Sequence, residues 1–336
     1  MLKRNLILIP LMLALPALLA VTTCDTGTDG ADDGGGTPGE GIVYVVDKMN
    51  DRLIGFDYAG EQRVLDLFVT RPTDMDIHPG ADKLWVADYA NDRVTLYDLE
   101  LDFESTTADG LVNDPYTVAM LPDGGCWVAD RVNGDFVRLD DSALPVCRLD
   151  AGAPTRHVAY DSAGGRVWLG DENGTLYVVD ADWSTDGAAA AVADFTLEDL
   201  GVIRGLVVDG DNGLVWVSDF DGDRLICLDS EDGALLGNVL NLDGPMGLAV
   251  HPDGDCWVAV REDGRVLRID GTSFDVVTEY DELSGPEDVA VGEGDDCWVV
   301  EATGNTLKLL SDGETALTVE GLSSPCGVEY YDASGR

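Results

Sequence analysis

Basic residues are what this chain has least of. Lysine occurs four times in 336 residues, at Lys3, Lys48, Lys83 and Lys308, and 20 Lys and Arg together face 65 Asp and Glu, a formal net charge of −45. Nucleic-acid binding needs clustered cations that release counterions from phosphate, so the composition argues against it. Docking on anionic headgroups is disfavoured by the same sign of charge. No cysteines are spaced C-x-x-C, which removes the usual structural zinc pattern. Histidine occurs only as His78, His157 and His251, and no G-x-S-x-G, H-E-x-x-H or P-loop is present. The one long apolar run, Leu6–Val21, is interrupted by Pro10 and Pro16 and falls short of the ~20 residues a spanning helix needs.

That run, preceded by Lys3 and Arg4, reads as a secretory signal over residues 1–23. Val21-Thr22-Thr23-Cys24 resembles a bacterial lipobox, with Thr23 where a smaller residue is usual; Cys24 is then the lipidation site. The other reading is cleavage after Ala20, which leaves Cys24 a free thiol. Both export the protein to the cell envelope, periplasm or outer surface. Residues 24–40 are mostly Gly, Asp and Thr with nothing to bury, and are expected to form a disordered acidic tether.

The remainder, 41–336, is one unit repeated. LWVADYANDRVTLYD from Leu84, CWVADRVNGDFVRLD from Cys126, VWLGDENGTLYVVD from Val167, VWVSDFDGDRLICLD from Val215, CWVAVREDGRVLRID from Cys256 and CWVVEATGNTLKLL from Cys297 align, and VYVVDKMNDRLIGFD from Val43 joins them with Tyr44 in place of Trp. The aromatic positions are Tyr44, Trp85, Trp127, Trp168, Trp216, Trp257 and Trp298, spaced about 42 residues apart except for one longer interval, where an insertion falls around Ala188–Ala193. Each unit reads as four antiparallel strands with Asn, Asp and Gly turns, which is a propeller blade. The predicted fold is therefore all-β, a seven-bladed propeller with one large aromatic wedged between neighbouring blades. The last segment, from Gly327, matches an inner strand with no Trp strand after it, and the first, from Ile42, lacks an inner strand. The two ends are expected to complete one blade, which removes a free sheet edge.

The pattern P-x-G-[LVI]-A-V-x-P-D-G-x-x-W-V-A-D-x-x-N-x-R-V, carried best by Pro245–Arg265 and Pro72–Arg93, resembles the NHL repeat and its YncE-like and gluconolactonase-like relatives. The resemblance implies the propeller. It leaves the function open among ligand- and protein-binding modules, lactonases and lyases.

In a propeller the residues starting the inner strands ring one channel mouth. Here they include Thr73-Asp74, Tyr116-Thr117, Arg156-His157, Arg204-Gly205, Met246-Gly247, Glu287-Asp288 and Cys326-Gly327. Arg156, His157 and Arg204 place positive charge on one arc; Glu287, Asp288 and Asp74 place negative charge opposite. Arginines suit a carboxylate or another anion, so Tyr116, Arg156, His157, Arg204, Asp74, Glu287 and Asp288 form the candidate ligand site. The other reading makes Arg156, His157 and Arg204 internal partners for nearby acids. A second ring, Asp47, Asp88, Asp130, Asp171, Asp219 and Glu301, with Val260 the exception, is expected to cap the turns that follow it.

The sequence thus leads to a lipid-anchored, monomeric binding or scaffold module for a small anionic ligand or a protein, with no cofactor. The alternative is a metal-dependent hydrolase or lyase in the channel, with Glu287, Asp288 and Asp74 holding a divalent cation such as calcium and His157 as base. His78 and His251 precede Pro at a repeat position and read as structural. Among the other cysteines, Cys126 and Cys147 are the pair that could bridge within one blade.

Overall fold

A computed structural model describes residues 41–66, 69–77, 83–188 and 200–332. The signal, Cys24 and the tether lie outside the described residues, as do His78 and most of the Ala188–Ala193 insertion.

Seven small sheets follow one another around a channel. Blade 1 combines Pro325–Tyr331 with Ile42–Asp47, Arg52–Asp57 and Gln62–Asp66; the C-terminal strand pairs antiparallel with Ile42–Asp47, Val328 opposite Val45. The ring is closed as the unmatched ends of the repeat require. Blade 2 starts at Asp74–Ile77, blade 3 at Pro115–Met120, blade 4 at Thr155–Asp161, blade 5 at Ile203–Asp209, blade 6 at Pro245–Val250 and blade 7 at Pro286–Val291.

Six blades show four antiparallel strands. Blade 4 shows three among the described residues, Thr155–Asp161, Arg166–Asp171 and Leu176–Asp180. After the third, the chain crosses back to blade 3. Arg138 Nη1 and the Cys147 thiol both donate to the Trp183 carbonyl, and Gly187–Ala188 lies parallel to the outer strand Pro145–Asp150. The insertion read from the spacing thus begins as a fifth strand on a neighbour's edge.

The aromatic wedge is the core. The six Trp rings of the repeat and Tyr44 are at most 1% exposed. Each sits in a cluster with the next blade: Trp85 with Val118 and Val128, Trp216 with Val258 and Leu267, Trp298 with Val43 and Phe56. A ring of this size buries ~150–250 Å², worth roughly 4–6 kcal/mol as an upper figure. Seven such wedges explain why no blade needs a second hydrophobic layer.

Turns follow from residue type. Asp51, Asp92, Asp223 and Asn305 hold φ of 53°, 52°, 50° and 60° in the turn after the aromatic strand, where blades 3 and 6 use Gly134 and Gly264. Asp, Asn and Gly are the residues that accept this left-handed backbone. The described cysteines are free. Cys126 and Cys147 stand on strands separated by Asp135–Leu139, hence about 9–10 Å apart and beyond disulfide reach.

Candidate functional site

An inner strand has a partner on one side only. Its other edge faces the next blade around the channel, and its N–H groups need acceptors there. The side chains at the mouth supply them. Asp74 Oδ2 accepts from Val118 N–H at 2.9 Å, Thr117 Oγ1 from Val158 N–H at 3.1 Å and Asp288 Oδ2 from Val328 N–H at 3.0 Å. Each bond ties one blade to the next. At the equivalent place in blade 6, Gly247 leaves no room for a side chain, since a Cβ would stand 2.7 Å from the Asp288 Cα.

The residue just before each tie is aimed differently. In six blades the pairing of the inner strand with its neighbour shifts at the mouth. Arg156 is the extra residue between Thr155 and His157, Arg204 between Ile203 and Gly205, Glu287 between Pro286 and Asp288, and Cys326 between Pro325 and Gly327. Such bulges re-aim a side chain out of the pleat. They turn these residues, with Tyr116 and Met246, into a rim over a channel of about 560 Å³.

All seven candidate residues line this channel. Their partners divide them. Arg156 is 5% exposed, lies 4.1 Å over the Tyr116 ring, donates to Tyr116 Oη at 2.6 Å and bonds Glu172 at 3.1 Å. Glu172 also holds Arg131 at 2.6 Å. Glu287 pairs with Arg261 at 2.6 Å. For Arg156 the reading as an internal partner of a nearby acid is the one observed, and Glu287 is likewise engaged, by Arg261. Arg204 is different. Its guanidinium lies 5.1 Å over the Phe220 ring, its Nε is buried without a hydrogen bond, and no carboxylate pairs with it among the described residues.

His157 sits beside both arginines. Burial, then the charges of Arg156 and Arg204, push its imidazole well below the usual range, so it is neutral; a bond with the Ile203 backbone opposes this. Its Nε2 is buried with no partner.

The arc expected to be negative is quieter than its residue types suggest. Burial raises the Asp74 carboxyl well above the usual range and pushes Asp288 up to about 7; Glu287 is also raised by burial, against the charges of Arg261, Lys48, Arg204 and Arg156. Deeper in the channel Glu329 is raised well above the usual range by burial and by the charges of Asp76, Asp288 and Asp74. Asp74 and Asp288 are also engaged by backbone N–H groups, and Glu287 by Arg261. Among the described residues no three His, Cys, Asp or Glu side chains are placed to hold one metal ion.

The acid ring at the ends of the aromatic strands is structural, in a manner the sequence showed only in part. Asp171 accepts from Asn173 and Thr175 N–H in its own turn, as expected. Asp47, Asp88 and Asp130 instead accept from Ser323, Thr70 and Asn113 N–H, in the loop leading to the inner strand, and from Asn50, Asn91 and Asn133 side chains. Asp47 and Asp88 add Arg52 and Arg93 of the third strand. One carboxylate thus joins a loop, a turn and a strand. His251 is structural too: Nε2 bonds the Gly294 carbonyl at 2.9 Å and Nδ1 lies 2.6 Å from Asp253, linking blades 6 and 7.

Sequence reasoning missed Lys48, Arg131, Glu172, Phe220 and Arg261. All five occupy the position directly after the acid ring. Reading that column of the repeat, Lys48, Tyr89, Arg131, Glu172, Phe220, Arg261 and Ala302, would have found a second tier of the rim.

No family model matches the chain, and no curated protein does. Solved structures do. A functionally unknown protein from Desulfotomaculum acetoxidans aligns with a TM-score of 0.72 at 14% identity, over 85% of this chain and 98% of that one. A streptogramin B lyase gives 0.64 at 14%, over 79% and 88%. A catalytically inactive virginiamycin B lyase from Staphylococcus aureus with quinupristin gives 0.65 at 15%, over 76% and 87%. At these identities the likeness establishes the fold: this chain is a seven-bladed β-propeller.

Proposed function

We propose that this protein is an exported binding module of the NHL/YncE-like kind, carried as a monomer on a lipidated Cys24 by the 24–40 tether, and that its channel mouth captures a small anionic ligand. The observation that carries the reading is Arg204. Its guanidinium is stacked on Phe220, with a buried Nε and no carboxylate partner among the described residues, in a molecule with 65 acids to 20 bases. Stacking holds the planar fork in place, so less freedom is lost when it grips a carboxylate. His157 Nε2 adds one neutral hydrogen-bonding atom beside it.

Titration calorimetry with simple carboxylates tests this. Arg204→Ala should weaken binding by about tenfold or more, the loss of one charge-assisted contact, whereas Arg93→Ala, outside the mouth, should not. Equal binding by wild type and Arg204→Ala would sink the reading. The anchor has its own check: labelled palmitate incorporated by the wild type should be lost in Cys24→Ser, and label retained in that variant would remove it.

A second reading has one observation in its favour. A neutral, unpartnered His157 Nε2 next to two arginines is suited to take a proton from a ligand held by Arg204, and two of the structures above are lyases. Turnover abolished in His157→Gln with binding intact would support it. The metal set Glu287, Asp288 and Asp74 would first have to give up Arg261 and two backbone N–H groups.

A further inference from the structure

Cations collect at the mouth far beyond their share of the chain. Lys48, Arg131, Arg156, Arg204 and Arg261 stand on or just behind the rim, and the carboxylates they pair with are Glu172, Glu287 and, 3.8 Å from Arg261, Glu262. Glu172 serves Arg131 and Arg156; Glu287 serves Arg261. Two cations are left over, Arg204 and Lys48. Lys48 lines the channel, is partly buried and forms no ion pair among the described residues. Its charge reaches Cys326 in its own blade and Glu287 in the adjacent blade 7.

The two have fixed positions. Arg204 is the bulge residue of blade 5, backed by Phe220. Lys48 opens the short helical turn Lys48–Asn50 of blade 1, which is pinned by Met49 N–H donating to the Ser323 carbonyl. Blades 5 and 1 are three apart, the widest separation that seven blades allow. Between them lie Met246 and the Glu287–Arg261 pair, with Tyr116 facing from the other side. The two cations thus face the channel from separate blades, with the Glu287–Arg261 pair between them.

We infer that the mouth recognises a ligand with two separated carboxylates, one end held by the Arg204 fork and the other by the Lys48 ammonium. This rests on the anion-binding reading above and adds a second anchor to it. Joining two carboxylates in one molecule makes the second contact intramolecular, so affinity should rise steeply at the chain length that spans the gap and fall on either side. A single optimum is the expected signature of two fixed cations.

The probes are linear α,ω-dicarboxylates of about three to eight carbons and the monocarboxylates of matching length, titrated at one ionic strength. One diacid should bind at least about tenfold tighter than its monoacid. Lys48→Ala should reduce that diacid to monoacid affinity and leave the monoacid unchanged. Arg204→Ala should weaken both. Neither side chain makes an ion pair among the described residues, so both variants should stay folded, Arg204→Ala losing only its stacking on Phe220, and cooperative melting would show them intact. Diacids no tighter than monoacids at every length, or a best diacid indifferent to Lys48→Ala, would overturn the two-anchor proposal while leaving the single anchor standing if Arg204→Ala still weakens the monoacid. No binding of either series would overturn both.

Discussion

The Asp288 carboxyl accepts the Val328 N–H between blade 7 and the C-terminal strand that completes blade 1. It does so inside the channel wall, where burial pushes its carboxyl from 3.8 up to about 7. The native state therefore holds a proton that the unfolded chain releases near pH 4. Stability from this group is fully present below the unfolded value and is lost as pH rises through about 7. Asp74 and Glu329 are raised by burial too and act in the same direction; His157, held neutral, opposes them below its usual range. Denaturant unfolding from pH 5 to 8 should show wild type losing stability relative to Asp288→Asn, with a slope difference on the order of 1 kcal/mol per pH unit. Asn keeps an acceptor for Val328. Parallel curves would show that Asp288 titrates alike folded and unfolded.

At the scale of the strand, the repeat was legible because its causes are local. The aromatic column, Pro-Asp-Gly turns and Asn or Asp at left-handed positions are each dictated within one blade, so alignment of seven segments exposes them. The mouth column was legible for the same reason: Arg156, Arg204 and Glu287 follow from where inner strands start. Which of them is engaged was not. The partner of Arg156 comes from the end of another strand, Glu172, and that of Glu287 from Arg261 in the preceding blade. Such pairs connect different columns of the alignment, and no single column shows them. The bulge was hidden too, since it adds a residue to the pairing rather than to the repeat. The acid ring was half legible: the turn contacts of Asp171 are local, whereas the bond between Asp47 and Ser323 N–H spans 276 positions and exists only once the ring is closed.

For the whole molecule, a charge of −45 keeps the surface hydrated and resists self-association, at the cost of internal repulsion. Against that field, a mouth that gathers Lys48, Arg131, Arg156, Arg204 and Arg261 is a focusing device. Burial works with it, raising the carboxyls of Asp74 and Glu329 behind the rim and so disfavouring negative charge there. The central claim is that anions settle at this mouth through Arg204, in a protein that repels them elsewhere. The most direct measurement is a crystal soaked in iodide and read by anomalous scattering. The account predicts the strongest peak inside the mouth, against the Arg204 guanidinium, and its disappearance in Arg204→Ala. Iodide bound on the outer blade surfaces with the mouth left empty would contradict it.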